Sequence, residues 1–316
     1  QNGEPLQSSG PSYSSVFGET LCALAQEDRR VCAITAAMRD GTGLGEFERR
    51  FPGRFFDVGI AEGHAVAMAA GMAKQGSLPV FAVYSSFLQR GYDMLLHDVG
   101  ILGLHVVLGV DRAGLVGEDG ETHHGLFDVA YLSTVPGMTL YAPSSFAELR
   151  SMLRRAVEED RGPVAVRYPR GGEGTYRADS GPAPTALLRE GSDLTLVTYG
   201  ATVDQVLETA AALEAQGCRA EVVKLNRLLP LEAGPVLESV RKTGRMLVAE
   251  ECAAMGSIGE RLCARLAQEG VPLRAVRLCS TGEGYIPQGT TAELRRLCGL
   301  DRASLERAAL EVWKRG

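Results

Sequence analysis

The sequence lacks several features that would place it in a specialised class of protein. No apolar run approaches the roughly 18 residues that a membrane-spanning helix needs, and no signal-peptide pattern opens the chain. It also contains no dense block of Lys or Arg: 33 basic against 39 acidic residues give a formal net charge of −6. We therefore expect neither a membrane nor a nucleic acid as the main partner.

Cysteine and histidine are both scarce. The seven cysteines are an odd number, and no two of them have the C-x-x-C spacing of a zinc or redox site. A disulfide framework is therefore not expected, and the chain is predicted to work in a reducing, cytoplasmic compartment. The five histidines all lie between residues 64 and 124. Polar chemistry is therefore expected in the first half of the chain.

The composition that remains is that of an ordinary globular protein. Hydrophobic residues make up 45% and charged residues 23% of the 316, which excludes a wholly disordered chain. At roughly 150 residues per domain, this length corresponds to about two domains, each large enough to bury its own core.

Short apolar runs alternate with segments of helical length in the first half of the chain. Strands are predicted at 31–35, 55–58, 80–84, 106–110, 139–142 and 164–167. Helices are predicted at 14–26, 61–75, 91–99 and 145–158, the last beginning at a capping serine. Unbroken apolar strands separated by helices indicate a mostly parallel sheet covered on both faces.

A stretch rich in Gly, Pro and Ala at 171–185 indicates a domain boundary, after which the alternation resumes. Strands are predicted at 194–199, 220–225, 246–250 and 273–278, and helices at 202–216, 257–268, 291–297 and from 302 onward. The predicted organisation is a linker or frayed terminus at 1–12, a first domain at 13–172, a linker at 173–188 and a second domain at 189–316. The fold class is therefore α/β, with two consecutive domains that are each a mostly parallel sheet flanked by helices.

The densest polar stretch of the first half joins a predicted strand to a helix and contains Glu62. A carboxylate in the first turn of a helix is stabilised by the helix macrodipole, so Glu62 could have only this structural role. Ligands of open α/β sheets also bind at the carboxyl ends of the strands, which is where Glu62 is predicted to lie. The spacing alone leaves both roles open.

Two further stretches follow predicted strands in the same way. Phe87 lies at a loop-to-helix junction, where an aromatic ring either packs in the core or stacks on a flat heterocycle. Arg167 and Arg170 place two guanidinium groups at a strand end, where they either are solvated or bind an anion. A glycine series at 41–45 has the wrong spacing for a dinucleotide site and predicts an ordinary flexible loop.

Residues 111–125 have the composition of a loop over a site, with four glycines, four carboxylates, two histidines and one arginine. The adjacent His123 and His124 would point apart on an extended chain, and no accompanying ligand spacing favours a metal. Proton transfer or substrate orientation is the favoured role for a histidine here. No metal ligands are predicted in this chain.

Taken together, these stretches resemble the 1-deoxy-D-xylulose-5-phosphate synthase family, whose members are thiamine-diphosphate enzymes of the transketolase superfamily. The resemblance is carried, in order, by ITAAM (34–38), FFDVGIAEGHAV (55–66), YSSFLQRGYD (84–93), HDVG (97–100), DRAGLVGEDGETHHG (111–125), YAPSS (141–145), RYPRG (167–171) and YIPQGT (285–290). It covers the family's pyrimidine-binding and C-terminal domains. The family's N-terminal domain, which binds the cofactor diphosphate through Mg²⁺ with a G-D-G motif, is not matched.

The resemblance implies a role for each matching residue. The acid matching Glu62 hydrogen-bonds N1′ of the aminopyrimidine, which helps the neighbouring 4′-nitrogen to take up a proton. The implied cofactor-binding residues are Glu62, Phe87 and Arg90. The implied substrate-binding residues are Tyr84, Arg112, Arg170, Asp119 and His123, and the implied catalytic residues are Glu62, Asp119 and His123. One departure is Gly63, since the family often has Gln there, whose amide could help to orient the site.

The activity implied by the resemblance is condensation of pyruvate, with loss of CO₂, and D-glyceraldehyde 3-phosphate to 1-deoxy-D-xylulose 5-phosphate. The product, 1-deoxy-D-xylulose 5-phosphate, serves the biosynthesis of isoprenoid precursors, thiamine and pyridoxal. The expected cofactors are thiamine diphosphate and Mg²⁺, the latter bound by the unmatched N-terminal domain. The expected partner is that domain or a subunit equivalent to it, in a homodimer or heterotetramer. Without it, the chain is expected to bind thiamine diphosphate weakly and to be inactive.

Two other functions remain open at this point. The chain could be the C-terminal subunit of another split transketolase-like enzyme, with a ketose phosphate as donor. It could also be a non-catalytic assembly or regulatory subunit that has kept the fold. A pure scaffold, however, would have no physical need for the full set of Glu62, Phe87, Arg112, Asp119, His123 and Arg170.

Overall fold

The structure, a computed structural model, describes residues 10–315. These residues form two sheets flanked by helices. The strands are β1 (Val31–Thr35), β2 (Phe55–Asp57), β3 (Leu78–Tyr84), β4 (Val107–Asp111), β5 (Thr139–Tyr141), β6 (Val164–Arg167), β7 (Thr185–Arg189), β8 (Leu194–Thr198), β9 (Ala220–Leu225), β10 (Arg227–Leu229), β11 (Arg245–Ala249) and β12 (Ala275–Cys279). The predicted fold class, two consecutive domains with mostly parallel sheets, is confirmed.

The first sheet has the strand order β10-β5-β6-β4-β3-β1-β2, and the second has the order β12-β11-β8-β9-β7. Pairing is parallel throughout except at one edge of each sheet, where β10 and β7 run antiparallel to their neighbours. Central strands such as β1, β4 and β8 are buried at every residue, as expected for parallel strands covered on both faces.

The helices cover the faces of both sheets. They are α1 (Tyr13–Glu27), α2 (Gly45–Arg50), α3 (Glu62–Lys74), α4 (Ser85–Leu88), α5 (Tyr92–Met94), α6 (Asp128–Leu132), α7 (Phe146–Glu158), α8 (Val203–Glu214), α9 (Gly234–Thr243), α10 (Ile258–Gln268), α11 (Thr291–Cys298) and α12 (Arg302–Lys314). The predicted capping serine of α7 is confirmed, because the Ser145 side chain accepts a hydrogen bond from the Glu148 amide. Among residues 10–315, no helix combines the length and the apolar character required to cross a membrane.

Alternate residues of the first sheet pack on opposite faces. Phe17 of α1 and Leu149 of α7 share a buried cluster with Val80, whereas Phe81 lies in a second cluster with residues of α3. That second cluster continues into the other sheet, where it includes Val248. The two domains are therefore joined by one continuous apolar core rather than by a solvated interface.

The helix predicted at 91–99 is helical in the structure, but it is not one regular α-helix. The chain from β3 onward instead forms one short turn after another: α4, a 3₁₀ turn at Gln89–Gly91, α5 and a π-helical turn at Leu95–Gly100. A side chain on Gly91 would meet the Val66 side chain at 2.8 Å, so this segment packs closely against α3. Changes of winding within a helix are common at functional sites, and this one carries Phe87 and Arg90.

The region around the predicted linker 173–188 is more ordered than its composition suggests. Residues 185–188 already belong to β7, which pairs with β9 and extends the second sheet. The part of the predicted N-terminal segment 1–12 that precedes residue 10 lies outside the described residues. Beyond the linker, β10 crosses back and pairs with β5 of the first sheet, so the two halves share a sheet edge.

A buried ion pair fixes the linker between the two domains. Glu148 of α7 and Lys224 of β9 are both fully buried, with Lys224 Nζ 2.9 Å from Glu148 Oε1. Two linker side chains donate to the same carboxylate oxygen, Tyr176 at 3.0 Å and Ser180 at 2.6 Å. Burial lowers the pKa of the Lys224 ammonium, and the Glu148 carboxylate opposes that shift.

Candidate active site

The predicted site residues lie along the carboxyl edge of the first sheet. Tyr84 ends β3, Arg112 follows the last residue of β4, and Arg170 follows β6. Glu62 begins α3, which follows β2. Because these strands are parallel, their carboxyl ends lie at one edge of the sheet, where α/β proteins bind their ligands.

Glu62 is buried and paired with a cation that is not. Its side chain is 3% exposed, whereas that of Arg90 is 56% exposed. Arg90 Nη1 donates a hydrogen bond of 2.7 Å to Glu62 Oε1. The position of Glu62 in the first turn of α3 also places its negative charge at the positive end of the helix macrodipole. A buried carboxylate is therefore paired with a cation that is more than half exposed to solvent.

Three rings pack together next to this pair. The Phe87 ring lies 5.7 Å from the Tyr84 ring at an interplanar angle of 28°, and 5.1 Å from the His123 imidazole at 64°. The Arg90 guanidinium lies over Phe87, 5.0 Å from the ring centroid. Arg90 therefore contacts both predicted cofactor residues, Glu62 and Phe87, and brings them into one cluster.

Arg112 links the ring cluster to the polar part of the site. Its guanidinium lies 3.7 Å from the Tyr84 ring centroid, a close cation–π contact. Its backbone has φ of 59°, a left-handed conformation that costs a non-glycine residue on the order of 1 kcal/mol. Arg112 Nη1 also donates to the carbonyl of Gly41 at 3.0 Å. The side-chain contacts hold the guanidinium in one orientation.

Asp119 joins the two predicted anion-binding arginines. Its Oδ2 atom lies 3.2 Å from Nε of Arg112 and 3.2 Å from Nε of Arg170. Arg170 Nη1 also donates to the Val116 carbonyl at 3.3 Å. One carboxylate oxygen thus occupies the position between two guanidinium groups that an anionic ligand would take.

A cavity of about 440 Å³ opens beside these arginines. Its walls include Arg112, Arg170, Ser14 and Thr291, the last contributed by the second domain. Gly41 forms another part of the wall, and a side chain there would come within 1.7 Å of the Tyr84 hydroxyl. The prediction that the glycine series 41–45 is only a flexible loop is therefore wrong for Gly41, which is needed for this close approach.

The eight predicted site residues thus form a continuous chain of contacts. It runs from Glu62 through Arg90, Phe87, His123 and Tyr84 to Arg112, Asp119 and Arg170. The residues span positions 62 to 170, so only the folding of the sheet brings them together.

Asp111 and Ser14 are site residues that sequence reasoning missed. Asp111 is completely buried directly behind Arg112; Ser14 donates to its Oδ2 at 2.7 Å and Arg112 to its Oδ1 at 3.3 Å. Burial raises the pKa of the Asp111 carboxyl from 3.8 to about 6, and Arg112 opposes the shift. The only sequence signal was its place at the end of a strand, next to a candidate arginine.

The neighbouring histidines have different surroundings. The His123 ring faces the site, and its Nδ1 lies 2.9 Å from the Thr122 hydroxyl. The His124 ring is buried, and its Nδ1 accepts from the Val116 amide at 3.1 Å. Its Nε2 therefore carries the proton and donates to the Pro287 carbonyl at 3.2 Å. Both nitrogens of His124 are occupied by backbone groups, so this residue holds the loop in place.

The residues present fit an aminopyrimidine ring. Such a ring needs an aromatic face to stack on and a buried acceptor for a ring nitrogen. Phe87 supplies the aromatic ring and Glu62 the buried acceptor, and Arg90 contacts both. The buried hydroxyls of Ser85 and Ser86, in the turn before Phe87, have no hydrogen-bond partner. Among residues 10–315, no group of three or more His, Cys, Asp or Glu side chains is arranged to hold a metal ion.

Gly63, the departure noted in the sequence, is explained by packing. A side chain added at this position would meet the Met94 side chain at 2.9 Å and approach the Arg90 carbonyl to 3.5 Å. Met94 lies in α5, one of the short helical turns that follow β3. Gly63 therefore allows these turns to approach the first turn of α3. The close contact helps to place Arg90 beside Glu62.

Fold and site together define a two-domain α/β protein of the transketolase type, with a buried glutamate and a ring cluster at the carboxyl edge of its first sheet. Two family models match, described as "Transketolase, pyrimidine binding domain" over residues 9–172 and "Transketolase, C-terminal domain" over residues 184–305. The chain therefore belongs to the transketolase family.

Curated relatives are similar over almost the whole chain. A 1-deoxy-D-xylulose-5-phosphate synthase of Heliobacterium modesticaldum is 47% identical over 307 residues, covering 96% of this chain and 47% of that protein. A 1-deoxy-D-xylulose-5-phosphate synthase 1 of Geobacter sulfurreducens is 46% identical over 302 residues, covering 94% of this chain and 47% of that protein. The chain thus spans about half the length of the curated relatives it matches.

Solved structures show the same architecture. One described as a split-gene transketolase in an inactive β4 tetramer superposes with a TM-score of 0.84 at 27% identity, covering 97% of this chain and 99% of that chain. A transketolase of Campylobacter jejuni superposes with a TM-score of 0.79 at 19% identity, covering 95% of this chain and 46% of that chain. The second likeness supports the fold alone.

Proposed function

We propose that this chain is the pyrimidine-binding half of a cytoplasmic 1-deoxy-D-xylulose-5-phosphate synthase that condenses pyruvate and D-glyceraldehyde 3-phosphate. The observation that carries the proposal is the contact chain from Glu62 to Arg170. It combines a site for a cofactor ring with a site for a phosphate in one continuous surface. The similarity to curated synthases over 96% of the chain supports the same assignment.

In this proposal Glu62, Phe87 and Arg90 hold the pyrimidine ring of thiamine diphosphate. When bound, the cofactor supplies a carbon nucleophile and takes up the electrons left when CO₂ departs from pyruvate. Phe87 provides the stacking face, and Glu62 accepts a hydrogen bond from the ring nitrogen. Arg90 orients the carboxylate through its 2.7 Å hydrogen bond.

Arg112, Arg170 and Tyr84 bind the phosphate of the aldehyde acceptor. Two guanidinium groups suit a dianion, and both line the 440 Å³ cavity. Asp119 lies between the two arginines. An incoming phosphate must therefore displace the Asp119 carboxylate from its contacts with them. Asp119 and His123 then orient the reacting carbonyl groups and exchange protons with them, close to the ring cluster.

The remaining parts of the enzyme are assigned to a partner. Because the curated relatives are about twice as long as their match to this chain, we place the cofactor diphosphate and its Mg²⁺ on an N-terminal domain or subunit. The active assembly is then a homodimer or a heterotetramer. This chain alone binds thiamine diphosphate weakly and releases no CO₂ from pyruvate.

A mixing experiment tests the proposed function. The chain is combined with an N-terminal half of a synthase, Mg²⁺, thiamine diphosphate, pyruvate and D-glyceraldehyde 3-phosphate, and CO₂ and the ketose phosphate are measured. Both products should form in the mixture, neither should form with either half alone, and Glu62→Gln should sharply reduce the formation of both.

The same mixture distinguishes the other functions. Transfer of a two-carbon unit from a ketose phosphate, without CO₂ from pyruvate, would assign a transketolase with a ketose donor. A folded complex whose affinity for thiamine diphosphate and whose activity do not depend on Glu62 would assign a non-catalytic subunit. Either result would reject the synthase proposal.

A further inference from the structure

The loop that carries Arg112, Asp119 and His123 rests on the C-terminal domain. We call residues 112–125 the acceptor loop; it leaves the first sheet after β4 and closes through paired hydrogen bonds between Gly114 and Gly125, of 2.8 and 2.9 Å. A loop rich in glycine has a large conformational entropy in solution. Its fixed shape therefore requires contacts from outside the loop.

Glu251 supplies one of these contacts from the far domain. It follows β11 and is 3% exposed. Its Oε2 accepts from the Leu115 amide of the acceptor loop at 3.1 Å, while its Oε1 accepts from Nε of Arg295 in α11 at 2.7 Å. The carboxylate thus connects the loop backbone to a helix of the C-terminal domain. A side chain on Gly114 would lie 2.5 Å from Glu251 Oε2, so glycine there permits the approach.

The segment 285–290 supplies a second set of contacts. Gln288 Nε2 donates to the Glu118 carbonyl at 2.9 Å, one residue before Asp119. The Pro287 carbonyl accepts from Nε2 of the buried His124 ring. Apolar packing reinforces these bonds, since Leu115 and Leu126 share a small buried cluster with residues of the C-terminal domain. Both ends and the middle of the acceptor loop are therefore held.

We infer that Glu251 and Gln288 are positioning residues that clamp the acceptor loop and so set the affinity for the phosphorylated acceptor. Neither residue lines the 440 Å³ cavity, so each acts through Arg112 and Asp119. Clamping holds these side chains in place before the ligand arrives, which lowers the ordering cost of binding. The substrate named in this inference rests on the proposed function, whereas the clamp itself rests on the contacts alone.

Hydrogen exchange on the full chain tests the clamp without any activity. Glu251→Gln keeps the shape of the side chain but weakens the acceptor and removes the ion pair with Arg295. The Leu115 amide should then exchange about tenfold faster, as expected for the loss of one charge-assisted hydrogen bond. Glu250→Gln is the matched control, because Glu250 is equally buried but accepts from the amides of Ile258 and Gly259.

A second pair of variants tests the clamp even if the buried change Glu251→Gln disturbs folding. Gln288→Ala removes an exposed side chain and should speed exchange at 116–120 by several-fold. Its control, Gln216→Ala, removes an equally exposed glutamine that donates to Glu306, away from the loop. Loop exchange that is unchanged in both Glu251→Gln and Gln288→Ala, or raised equally by their controls, would overturn the inference.

Kinetics of the complete enzyme give the second readout. Glu251→Gln and Gln288→Ala should raise KM for D-glyceraldehyde 3-phosphate about fivefold and leave KM for pyruvate unchanged. An equal rise in both KM values would contradict a role confined to the acceptor. If the unmodified mixture releases no CO₂, the proposed function fails, while the exchange experiment still decides whether the clamp exists.

Discussion

Glu62 and Arg90 share a hydrogen bond of 2.7 Å although their side chains lie in opposite environments, the carboxylate 3% and the guanidinium 56% exposed. An exposed arginine is easily solvated when its partner is neutralised, so Glu62 can be changed without leaving a buried, unpaired cation. The pair therefore allows the chemical role of the carboxylate to be separated from its structural one.

Glu62→Gln should abolish most turnover while leaving the fold intact. The amide keeps the shape of the carboxylate but is a poor acceptor for a protonated ring nitrogen. We expect kcat for CO₂ release in the mixed enzyme to fall roughly 10²- to 10⁴-fold, the usual range for losing a proton-transfer group. Thermal unfolding of the chain should move little. A variant with undiminished kcat would show that Glu62 only stabilises the first turn of α3 through its charge.

Arg112→Lys and Arg170→Lys should weaken binding of the acceptor selectively. Lysine keeps the charge but loses the planar fork, and at position 112 it also loses the flat contact with the Tyr84 ring. Each change should raise KM for D-glyceraldehyde 3-phosphate about tenfold and leave KM for pyruvate within about twofold. Arg302→Lys, on the distant α12, is the control. A parallel rise for both substrates would place these arginines outside the acceptor site.

Asp111→Asn should change how stability depends on pH. The folded pKa of Asp111 is about 6 against 3.8 in a solvated chain, so its ionisation is harder in the folded state. Its stabilising contribution is complete below pH 3.8 and is lost as the pH rises through about 6. Between these pH values the native chain should lose on the order of 3 kcal/mol relative to Asp111→Asn. Denaturant unfolding of both proteins from pH 4 to 7 measures the difference, and a constant difference would contradict this assignment.

Lys224→Met should destabilise the chain strongly, because it leaves Glu148 buried at 0% exposure without its cation. Removing one partner of a buried pair costs about 3–5 kcal/mol. Adding Glu148→Gln to Lys224→Met should restore part of that loss. The surface pair Arg302–Glu306, with side chains 48% and 20% exposed, is the comparison, where Arg302→Met should change the free energy of unfolding by about 0.5 kcal/mol or less. Additive effects at Lys224 and Glu148, measured by urea unfolding, would show that the two do not act as a pair.

Local sequence patterns were sufficient for most of the regular elements. Apolar runs located β1, β6 and β9 with their observed bounds, because a parallel strand is buried on both faces and is marked by its composition alone. The segment predicted as a helix at 91–99 is helical, but its changes of winding from 3₁₀ to α to π were not predicted. Helix α9 and the short strand β10 were missed, as was the strand character of residues 185–188. β7 and β10 are short edge strands, and their pairing depends on strands that are distant in the sequence.

The site was predictable only where polar and charged residues are clustered in the sequence. Glu62, Phe87 and Arg112 stand in polar stretches after predicted strands, and the parallel sheet brings such stretches together. Ser14 and Asp111 were missed because they meet across 97 residues. Glu251 was missed for a similar reason, since its contact with Leu115 spans 136 residues. Long-range contacts of this kind leave no local pattern in the sequence.

The return of β10 to the first sheet has a practical consequence for dissecting the protein. A fragment that ended at residue 172 would leave β5 at an uncovered edge of the sheet. Its unpaired backbone groups could then pair with a strand of another chain. It would also uncover the apolar surface on which Val248 and its neighbours rest. We therefore expect a fragment truncated at residue 172 to aggregate. The two family segments are better expressed as one piece.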